Sequence, residues 1–489
     1  MSYLLKNNRL SLNLIRFFSY FILSISIIIG TYFYDGNKLI FFIYGIFVNL
    51  VLLNSFYKNH TFFETYFGVF VWLGFWFKFL FIVILFEYHF KEGISRFYNE
   101  SDKITLIDNT LVIGIVFFTS YLLACRANFF LNQGSKTQNL KLNEKKYENL
   151  KKFILSILII FILFIAYFNF KNAIYQRGLI SGSNYNFLIN STVKWLLLFG
   201  FSSMIVIFLN YNFIKKKKST LLILISLIEP MISNLSFLSR GGIFNSLSIL
   251  YGIYKSNKRY FLKINIKHFI FYIFFVFIIF FITVSAVNIL RPIYFSSAEN
   301  VTIKINKGAI KIDAENVTSQ SLNNYTSLPA AVREFYSLAV NRWVGIDSLL
   351  AVTSYDNKNF KLLQKSFSEE YDPTQPPFYE RIIQDRQYEI NNNVYGITTP
   401  GIVAFLFYSG SYVFLFLVIF VITLLFIKFE KLIFHFLQNL IFCSLISQVI
   451  AYRLIHFGYL PKQSYLLFGS IIITIFIHTI INKFFMLKK

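Results

Sequence analysis

Long apolar runs alternate with short polar segments along most of the 489-residue chain. Runs of about twenty apolar residues with few charges are typical of helices that cross a lipid bilayer. The pattern therefore predicts an all-α polytopic membrane protein with about twelve transmembrane helices. These helices are expected at residues 10–33, 38–57, 66–86, 106–125, 153–170, 191–210, 220–238, 241–254, 269–290, 399–427, 432–455 and 464–482.

One polar segment, Arg291–Ile397, is much longer than the others and contains no apolar run that could span a membrane. It separates residues 1–290, with the first nine helices, from residues 398–489, with the last three. Pro329 and the apolar spacing after it predict an amphipathic helix through Val332, Phe335, Ala339, Trp343, Ile346 and Leu350. A second amphipathic helix is predicted over Pro377–Ile390.

The distribution of charge predicts how the chain is oriented. The net charge is +24, but most Lys and Arg residues lie in short segments between apolar runs, which indicates membrane topology rather than nucleic-acid binding. With the N-terminus inside, the inner segments hold 24 of these residues and the short outer loops hold seven. The polar segment is nearly neutral, with eleven basic and twelve acidic residues. We therefore expect both termini inside and the polar segment outside, folded over the bundle.

Cys125 and Cys443 both fall in or beside predicted helices, so no disulfide framework is expected.

Several common catalytic motifs are absent from the sequence. The chain contains no His-Glu-x-x-His, no Cys and His ligand spacing, no phosphate-binding glycine loop, no Gly-x-Ser-x-Gly and no Asp-x-Asp. These absences argue against a metal hydrolase and against a metal-dependent glycosyltransferase, so no metal site is expected.

The stretch Ser239-Arg240-Gly241-Gly242 is expected to break the chain between the seventh and eighth helices. The eighth apolar run has about fourteen residues, or roughly 21 Å of helix, which is shorter than a hydrocarbon core of about 30 Å. Arg240 should therefore lie below the membrane surface, where a charged residue is a candidate functional residue. The alternative is an interfacial arginine that extends to the headgroups. Glu229-Pro230 in the seventh helix predicts either an ion pair with a buried arginine or a local kink.

Further arginines are expected at the same outer end of the bundle. They are Arg291, Arg453, Arg177, Arg333 and Arg342. Each alone is compatible with a surface side chain that reaches the headgroups. Because guanidinium groups bind phosphate oxygens through two hydrogen bonds and keep their charge, the set indicates a lipid-linked phosphate or pyrophosphate as ligand.

Two residues are candidates for a general base. Asp347, in Arg342-Trp343-Val344-Gly345-Ile346-Asp347, can accept a proton from a sugar hydroxyl, and His456 is the second candidate. The alternatives are a solvated or capping carboxylate and a structural histidine. Trp343, Tyr395 and Tyr459 are candidates to stack on sugar rings, with core packing as the alternative.

These motifs, in this order, resemble the bacterial O-antigen and oligosaccharide repeat-unit polymerases of the Wzy type. The resemblance is carried by four features over essentially the whole chain: the Ser239-Arg240-Gly241-Gly242 break, the large polar segment with Arg342–Asp347, Thr399-Pro400-Gly401 before Tyr408-Ser409-Gly410, and Arg453-Leu454-Ile455-His456-Phe457-Gly458-Tyr459 before Pro461.

The resemblance implies a GT-C-like fold in the bacterial cytoplasmic membrane, with termini in the cytoplasm. It implies transfer of a growing glycan from undecaprenyl pyrophosphate to a sugar hydroxyl of the next lipid-linked repeat unit, without a cofactor or metal. Partners would be these lipid-linked oligosaccharides, the bilayer and a chain-length regulator. The resemblance assigns pyrophosphate binding to Arg240, Arg291 and Arg453 first, and then to Arg342 and Arg177.

Other functions remain open at this point. An O-antigen or wall-polymer ligase would share the bundle, the polar segment and the arginines, although the polar segment has no histidine. A lipid-linked oligosaccharide flippase or other transporter fits about twelve helices, but inverted internal repeats are not apparent in the sequence. A membrane scaffold without catalytic activity is the third alternative.

Overall fold

The computed structural model describes residues 2–56, 61–85, 102–130, 142–176, 185–217, 219–260, 264–305, 340, 343–369, 382, 400–456 and 464–486. At 2–17, 129–130 and 291–305 it describes the backbone alone. These residues are almost entirely helical and contain no strand, with a single isolated β-bridge between Leu142 and Met486. The all-α prediction is confirmed for this part of the chain.

The helices before the polar segment are α1 (Ser2–Phe33), α2 (Lys38–Ser55), α3 (Phe62–Trp72), α4 (Lys78–Leu85), α5 (Lys103–Phe130), α6 (Glu144–Asn172), α7 (Phe187–Trp195), α8 (Phe201–Ile214), α9 (Thr220–Ser236), α10 (Gly242–Tyr260) and α11 (Ile266–Ile305). Two π-helical turns, Leu73–Phe77 and Leu196–Gly200, join α3 to α4 and α7 to α8 as continuous helices. The helices after them are α12 (Ile346–Thr353), α13 (Phe360–Ser368), α14 (Gly401–Leu406), α15 (Tyr412–Leu437), α16 (Leu440–Ile455) and α17 (Ser464–Phe485).

Among the described residues, eight helices are long and apolar enough to cross a membrane. They are Lys38–Ser55, Phe62–Leu85, Lys103–Asn128, Glu144–Asn172, Phe187–Ile214, Ile266–Leu290, Tyr412–Leu437 and Ser464–Phe485. Three shorter apolar helices are Phe18–Phe33, Thr220–Ser236 and Leu440–Ile455. The chain is therefore a multi-pass membrane protein.

The helix predicted over residues 269–290 does not end before Arg291 and Pro292, although that proline favours an end there. Helix α11 continues through Pro292 as far as Ile305. A proline inside a helix removes one hydrogen-bond donor and leaves one carbonyl without its usual partner, which a long helix can tolerate. Proline at this position is therefore not a stop signal.

The expected start of the tenth helix and the expected break between the tenth and eleventh helices are also wrong, whereas the eleventh ends at Ile455 as expected. The tenth begins at Tyr412, because Gly410 adopts φ 69° and ends the short helical stretch that starts at Gly401. The next break falls at Gln438 and Asn439 rather than at Lys428–Lys431, which lie inside α15. Asn439 sets this position, because its side chain accepts hydrogen bonds from the backbone of Ile441 and Phe442.

The described part of the polar segment is less regular than expected. Trp343, Val344 and Gly345 are not helical, and α12 begins only at Ile346. A continuous helix through Trp343, Ile346 and Leu350 is therefore wrong. The residues of α12 are all buried, so it is a core helix rather than an amphipathic one, whereas α13 has one buried face. The second predicted helix, Pro377–Ile390, lies outside the described residues apart from Ile382.

The chain divides into two compact units. Unit 1 comprises Met1–Asn132, Glu334–Ile427 and Ala451–Lys462, and unit 2 comprises Gln133–Arg333, Lys428–Ile450 and Gln463–Lys489. In unit 1, α2 packs against α1, α3 and α5, while α12 packs against α5 and α14. In unit 2, α9 is the central helix and packs against α6, α8, α10 and α11.

The turn between α12 and α13 is closed by Lys358. Its ammonium donates hydrogen bonds to the carbonyls of Thr353, at 2.8 Å, and Tyr355, which lie at the end of α12. A cation at this end also complements the helix dipole. Burial lowers the pKa of Lys358, and the nearby carboxylate of Asp356 partly opposes that shift.

Unit 1 brings two glycines from distant parts of the chain into backbone contact. A Cβ atom added to Gly345 would lie 2.3 Å from the carbonyl oxygen of Gly74, and one added to Gly74 would lie 2.2 Å from the carbonyl oxygen of Val344. No side chain fits at such distances. The approach of the polar segment to the π-helical turn Leu73–Phe77 therefore requires glycine on both sides.

We expect Gly345→Ala to destabilise the protein by about 1–3 kcal/mol, because the added methyl group must push two backbone segments apart. Gly469→Ala is the matched control, since a Cβ atom there meets nothing within 4 Å and alanine favours a helix. The apparent melting temperature of the purified protein should fall for Gly345→Ala and stay equal or rise for Gly469→Ala. Equal melting of Gly345→Ala and the parent protein would contradict the backbone contact.

Candidate functional site

A buried ion pair joins the polar segment to a membrane helix within unit 1. The Lys78 Nζ lies 2.6 Å from Asp347 Oδ2, and the two side chains are 3% and 5% exposed. The same ammonium donates a hydrogen bond to the carbonyl of Trp343 at 3.1 Å. Lys78 thus fixes the polar segment at two points, one before and one inside α12.

Local backbone structure places both members of the pair. Lys78 directly follows the π-helical turn, which adds one residue to the helical turn and changes the direction of the residues after it. Asp347 occupies the first turn of α12, where a negative side chain interacts favourably with the helix dipole. Gly345, as the residue before α12, allows the close approach of that turn to Gly74.

The Asp347 carboxylate is only half satisfied. Its Oδ2 is bound to Lys78, while its Oδ1 is buried and has no hydrogen-bond partner among the described residues. A buried acceptor without a partner carries a free-energy penalty of about 1–3 kcal/mol. Asp347 is therefore held by charge attraction to Lys78, an arrangement that suits a structural carboxylate better than a base that must reach a substrate.

Trp343, whose carbonyl accepts a hydrogen bond from Lys78, belongs to an aromatic cluster that reaches the end of α16. The ring of Trp343 stacks near that of Phe70, with centroids 6.1 Å apart, and its centroid is 6.5 Å from that of His456. Tyr452 stacks on His456 at 4.1 Å and contacts Phe70 edge-on at 5.8 Å. The polar-segment motif and the motif at the end of α16 therefore meet in one aromatic cluster.

The hydrogen bonding of His456 indicates its tautomer. Its Nδ1 lies 3.2 Å from the carbonyl oxygen of Tyr452. Because a carbonyl oxygen only accepts, this hydrogen bond requires the proton on Nδ1 and places the lone pair of a neutral ring on Nε2. His456 is also only partly buried, unlike Asp347. Of the two predicted bases, His456 has the geometry that better suits proton transfer.

The second candidate region, in unit 2, is the break at Arg240. Helix α9 ends at Ser236 and α10 begins at Gly242, so the expected break in this stretch is confirmed. Leu238 adopts φ 51°, and Gly242 lies so close to α9 that an added Cβ atom would be 2.8 Å from the carbonyl oxygen of Pro230. Arg240 is partly buried and donates a hydrogen bond to Asn288 Oδ1 on α11 at 2.5 Å.

The predicted site residues fall into three groups. Unit 1 contains Asp347, His456, Trp343 and Arg453, and the structure brings the first three into the cluster around Lys78. Arg240 and Arg291 belong to unit 2, and Arg291 lies in α11 where only the backbone is described. The predicted residues outside the described part of the chain are Arg177, Arg333, Arg342, Tyr395 and Tyr459.

Sequence reasoning missed Lys78 and Tyr452. The signal for Lys78 was present, since it is a lone lysine inside an apolar run, where an ionisable residue needs a partner. Tyr452 gave no such signal, because tyrosines are frequent throughout this chain.

The expected pairing of Glu229 with an arginine is wrong: the described partners of Glu229 are the hydroxyl groups of Ser202 and Ser233. Serine hydroxyls satisfy a buried carboxyl group without bringing a second charge into the helix bundle.

Within the described residues, no group of three or more His, Cys, Asp or Glu side chains could hold a metal ion. The described groups of unit 1 instead offer a partly exposed imidazole beside aromatic rings, next to a fixed ion pair. Such a site can accept a proton from a hydroxyl group and stack on an apolar sugar face.

Comparison with protein-family models, curated proteins and solved structures finds no match to this chain.

Replacing one member of the buried pair should be more harmful than replacing both. We expect Lys78→Met or Asp347→Leu alone to destabilise the protein by about 3–5 kcal/mol, because each leaves an uncompensated buried charge. The double variant Lys78→Met with Asp347→Leu should recover most of that loss. Apparent melting temperatures of the parent protein, the two single variants and the double variant measure how strongly the two residues are coupled. A double variant whose loss of stability equals the sum of the two single losses would refute the pairing.

Proposed function

We propose that this protein is a membrane glycosyltransferase that polymerises oligosaccharide repeat units carried on undecaprenyl pyrophosphate. It would act at the outer face of the bacterial cytoplasmic membrane, with about twelve membrane helices and both termini in the cytoplasm. The products would be O-antigen, capsule or a similar polysaccharide. A chain-length regulator is a further proposed partner.

One observation carries this proposal. Trp343, from the motif of the polar segment, lies in the same aromatic cluster as Tyr452 and His456, from the motif at the end of α16. These are two of the features on which the resemblance to repeat-unit polymerases depends, and they are far apart in the sequence. Their meeting around a partly exposed histidine supports a shared site rather than two unrelated structural motifs.

The proposed reaction needs a base and a stabilised leaving group. His456 Nε2 would take the proton from a hydroxyl group of the acceptor repeat unit. The acceptor oxygen would then form a bond to the anomeric carbon of the donor glycan as the bond from that carbon to the pyrophosphate oxygen breaks. Undecaprenyl pyrophosphate would leave with the negative charge, which guanidinium groups stabilise.

The remaining residues take supporting roles in this proposal. Arg453 would bind the pyrophosphate next to Tyr452 in unit 1, and Trp343 would stack on a sugar ring. The pairing of Asp347 with Lys78 would hold the polar segment in place rather than supply the base. Pyrophosphate binding by Arg240, Arg291, Arg342 and Arg177, and sugar binding by Tyr395 and Tyr459, remain predictions from the sequence motifs.

The function of His456 is tested by a paired substitution. We expect His456→Ala to reduce glycan elongation at least 100-fold, because loss of a general base typically costs about 10²–10⁴-fold. His435→Ala removes the same side chain from an exposed position on α15 and should elongate glycan normally. The measurement is chain length on gels of glycan formed by purified protein from lipid-linked repeat units. Normal chains from His456→Ala would remove this residue from the mechanism.

Arg240→Ala separates the polymerase from its alternatives. If the protein is a polymerase, the Arg240→Ala substitution should abolish long glycan chains, because donor binding is lost. Single repeat units should still reach the outer leaflet, because their transport does not depend on this protein. In cells that depend on this protein, single units trapped inside would instead indicate a flippase. Chains of normal length that fail to reach their final acceptor would indicate a ligase. Gel analysis of glycan after treatment of intact cells and of lysates with a glycosidase distinguishes the three results.

A further inference from the structure

Unit 2 contains a buried carboxyl group that the proposed glycan transfer does not use. Glu229 lies on α9, directly before Pro230, and is 2% exposed. Ser233, one turn later on the same helix, donates a hydrogen bond to Glu229 Oε1 at 2.7 Å. Ser202, on α8, donates a hydrogen bond to Oε2. Each carboxyl oxygen is thus held by one hydroxyl group.

Among the described residues, no cation forms an ion pair with this carboxyl group. The lysines of unit 2 that do form ion pairs have other acids as partners: Lys215 pairs with Glu144 and Glu148, and Lys217 pairs with Glu148. Five titratable side chains on and beside the helices that pack against α9 have partners other than Glu229. Those partners are the Tyr175 ring for Lys194, Asn212 for Lys151, Asn482 for Tyr211, Gln438 for Arg259 and Asn288 for Arg240.

A carboxylate in such surroundings needs to be neutralised. An isolated charge buried among apolar helices carries a penalty of several kcal/mol or more, and binding a proton removes that charge. Both hydroxyl groups direct their protons at the carboxyl oxygens, whereas a metal ion is bound by oxygen lone pairs. A proton is therefore the ligand that this site fits.

A row of polar side chains connects Glu229 to one end of α9. Glu229, Ser233 and Ser236 are spaced four and three residues apart and so share one face of the helix. Ser236 is the last residue of α9 and is contacted by two side chains, since Asn169 donates to its hydroxyl at 2.9 Å and Gln176 donates to its carbonyl at 3.2 Å. The row therefore ends beside the break that carries Arg240.

The backbone near Glu229 is irregular on two helices. Pro230 has no N–H group, and Asn234 donates a side-chain hydrogen bond to the Pro230 carbonyl at 2.7 Å. A π-helical turn, Leu196–Gly200, precedes α8. Asn245 of α10 donates a side-chain hydrogen bond of 2.8 Å to the Leu198 carbonyl in this turn. Such π-helical turns occur frequently at functional sites, and a helix segment held by side chains can rearrange when a neighbouring charge changes.

We propose that Glu229 is a proton-binding site in unit 2, which exchanges its proton along the Ser233 and Ser236 face of α9. The proton adds to a carboxylate oxygen to give a neutral carboxylic acid, and its release restores the carboxylate without any other bond change. This site is independent of the base that the glycan transfer uses.

Infrared difference spectroscopy of the full-length protein in lipid nanodiscs tests the proposal. We expect a carbonyl band of a protonated carboxylic acid that decreases as the pH is raised, shifts on exchange into D₂O and is lost completely in Glu229→Gln. Glu430→Gln is the matched control and should keep the band, because Glu430 is also buried and also accepts a serine hydrogen bond, from Ser447 at 2.8 Å. A Glu229→Gln spectrum identical to that of the parent protein at every pH overturns the proposal.

Three further measurements complete the test. Ser233→Ala retains Glu229 but removes one hydroxyl donor, so it should shift the band frequency, and an unchanged frequency would show that the band arises elsewhere. Replacing choline chloride with sodium chloride at fixed pH should leave the band unchanged. Its loss in sodium would overturn proton binding in favour of a sodium site. Slower D₂O exchange is expected in Ser236→Ala, and an unchanged rate would contradict the proposed route.

Discussion

The arrangement of unit 1 depends on the attraction between Lys78 and Asp347. A lysine inside an apolar helix is tolerable only with a partner, and its partner comes from the segment that is otherwise the most polar part of the chain. The glycine contact between Gly74 and Gly345 then brings the backbones close enough for a 2.6 Å ion pair. One charge interaction thus holds the polar segment against the membrane helix and places Trp343 beside His456.

Asp347 and Glu229, two of the buried acids among the described residues, are satisfied in different ways. Asp347 is neutralised by an ammonium group at its own site, whereas Glu229 is held by two serine hydroxyls without a counter-charge. A fixed ion pair favours a permanent connection between two segments, because neither charge can be removed cheaply. A carboxyl group without a counter-charge can instead gain and lose a proton, which suits a site whose state changes. The same residue chemistry therefore serves as an anchor in one unit and as a proposed proton site in the other.

The candidate site was only partly predictable. Asp347, His456 and Trp343 were identifiable as polar or aromatic residues in motifs, and the structure places all three in one cluster. Their roles were not predictable, since the burial of Asp347 and the hydrogen bond that orients His456 depend on neighbours from other segments. Lys78 was overlooked because its partner is distant in the sequence. A lone charge in an apolar run shows that a partner must exist without showing which residue it is.

Apolar run length determined on its own that this is a helical, multi-pass membrane protein, because a membrane helix needs a minimum length of apolar residues regardless of its neighbours. The break between α9 and α10 at Arg240 could be predicted for a similar reason, since glycine and a charged residue interrupt an apolar helix locally. Tertiary structure decided which helices continue through a proline, where α12 begins and which charges meet. Those outcomes depend on packing between segments far apart in the chain, where a contact such as Gly74 with Gly345 outweighs the preference of either segment alone.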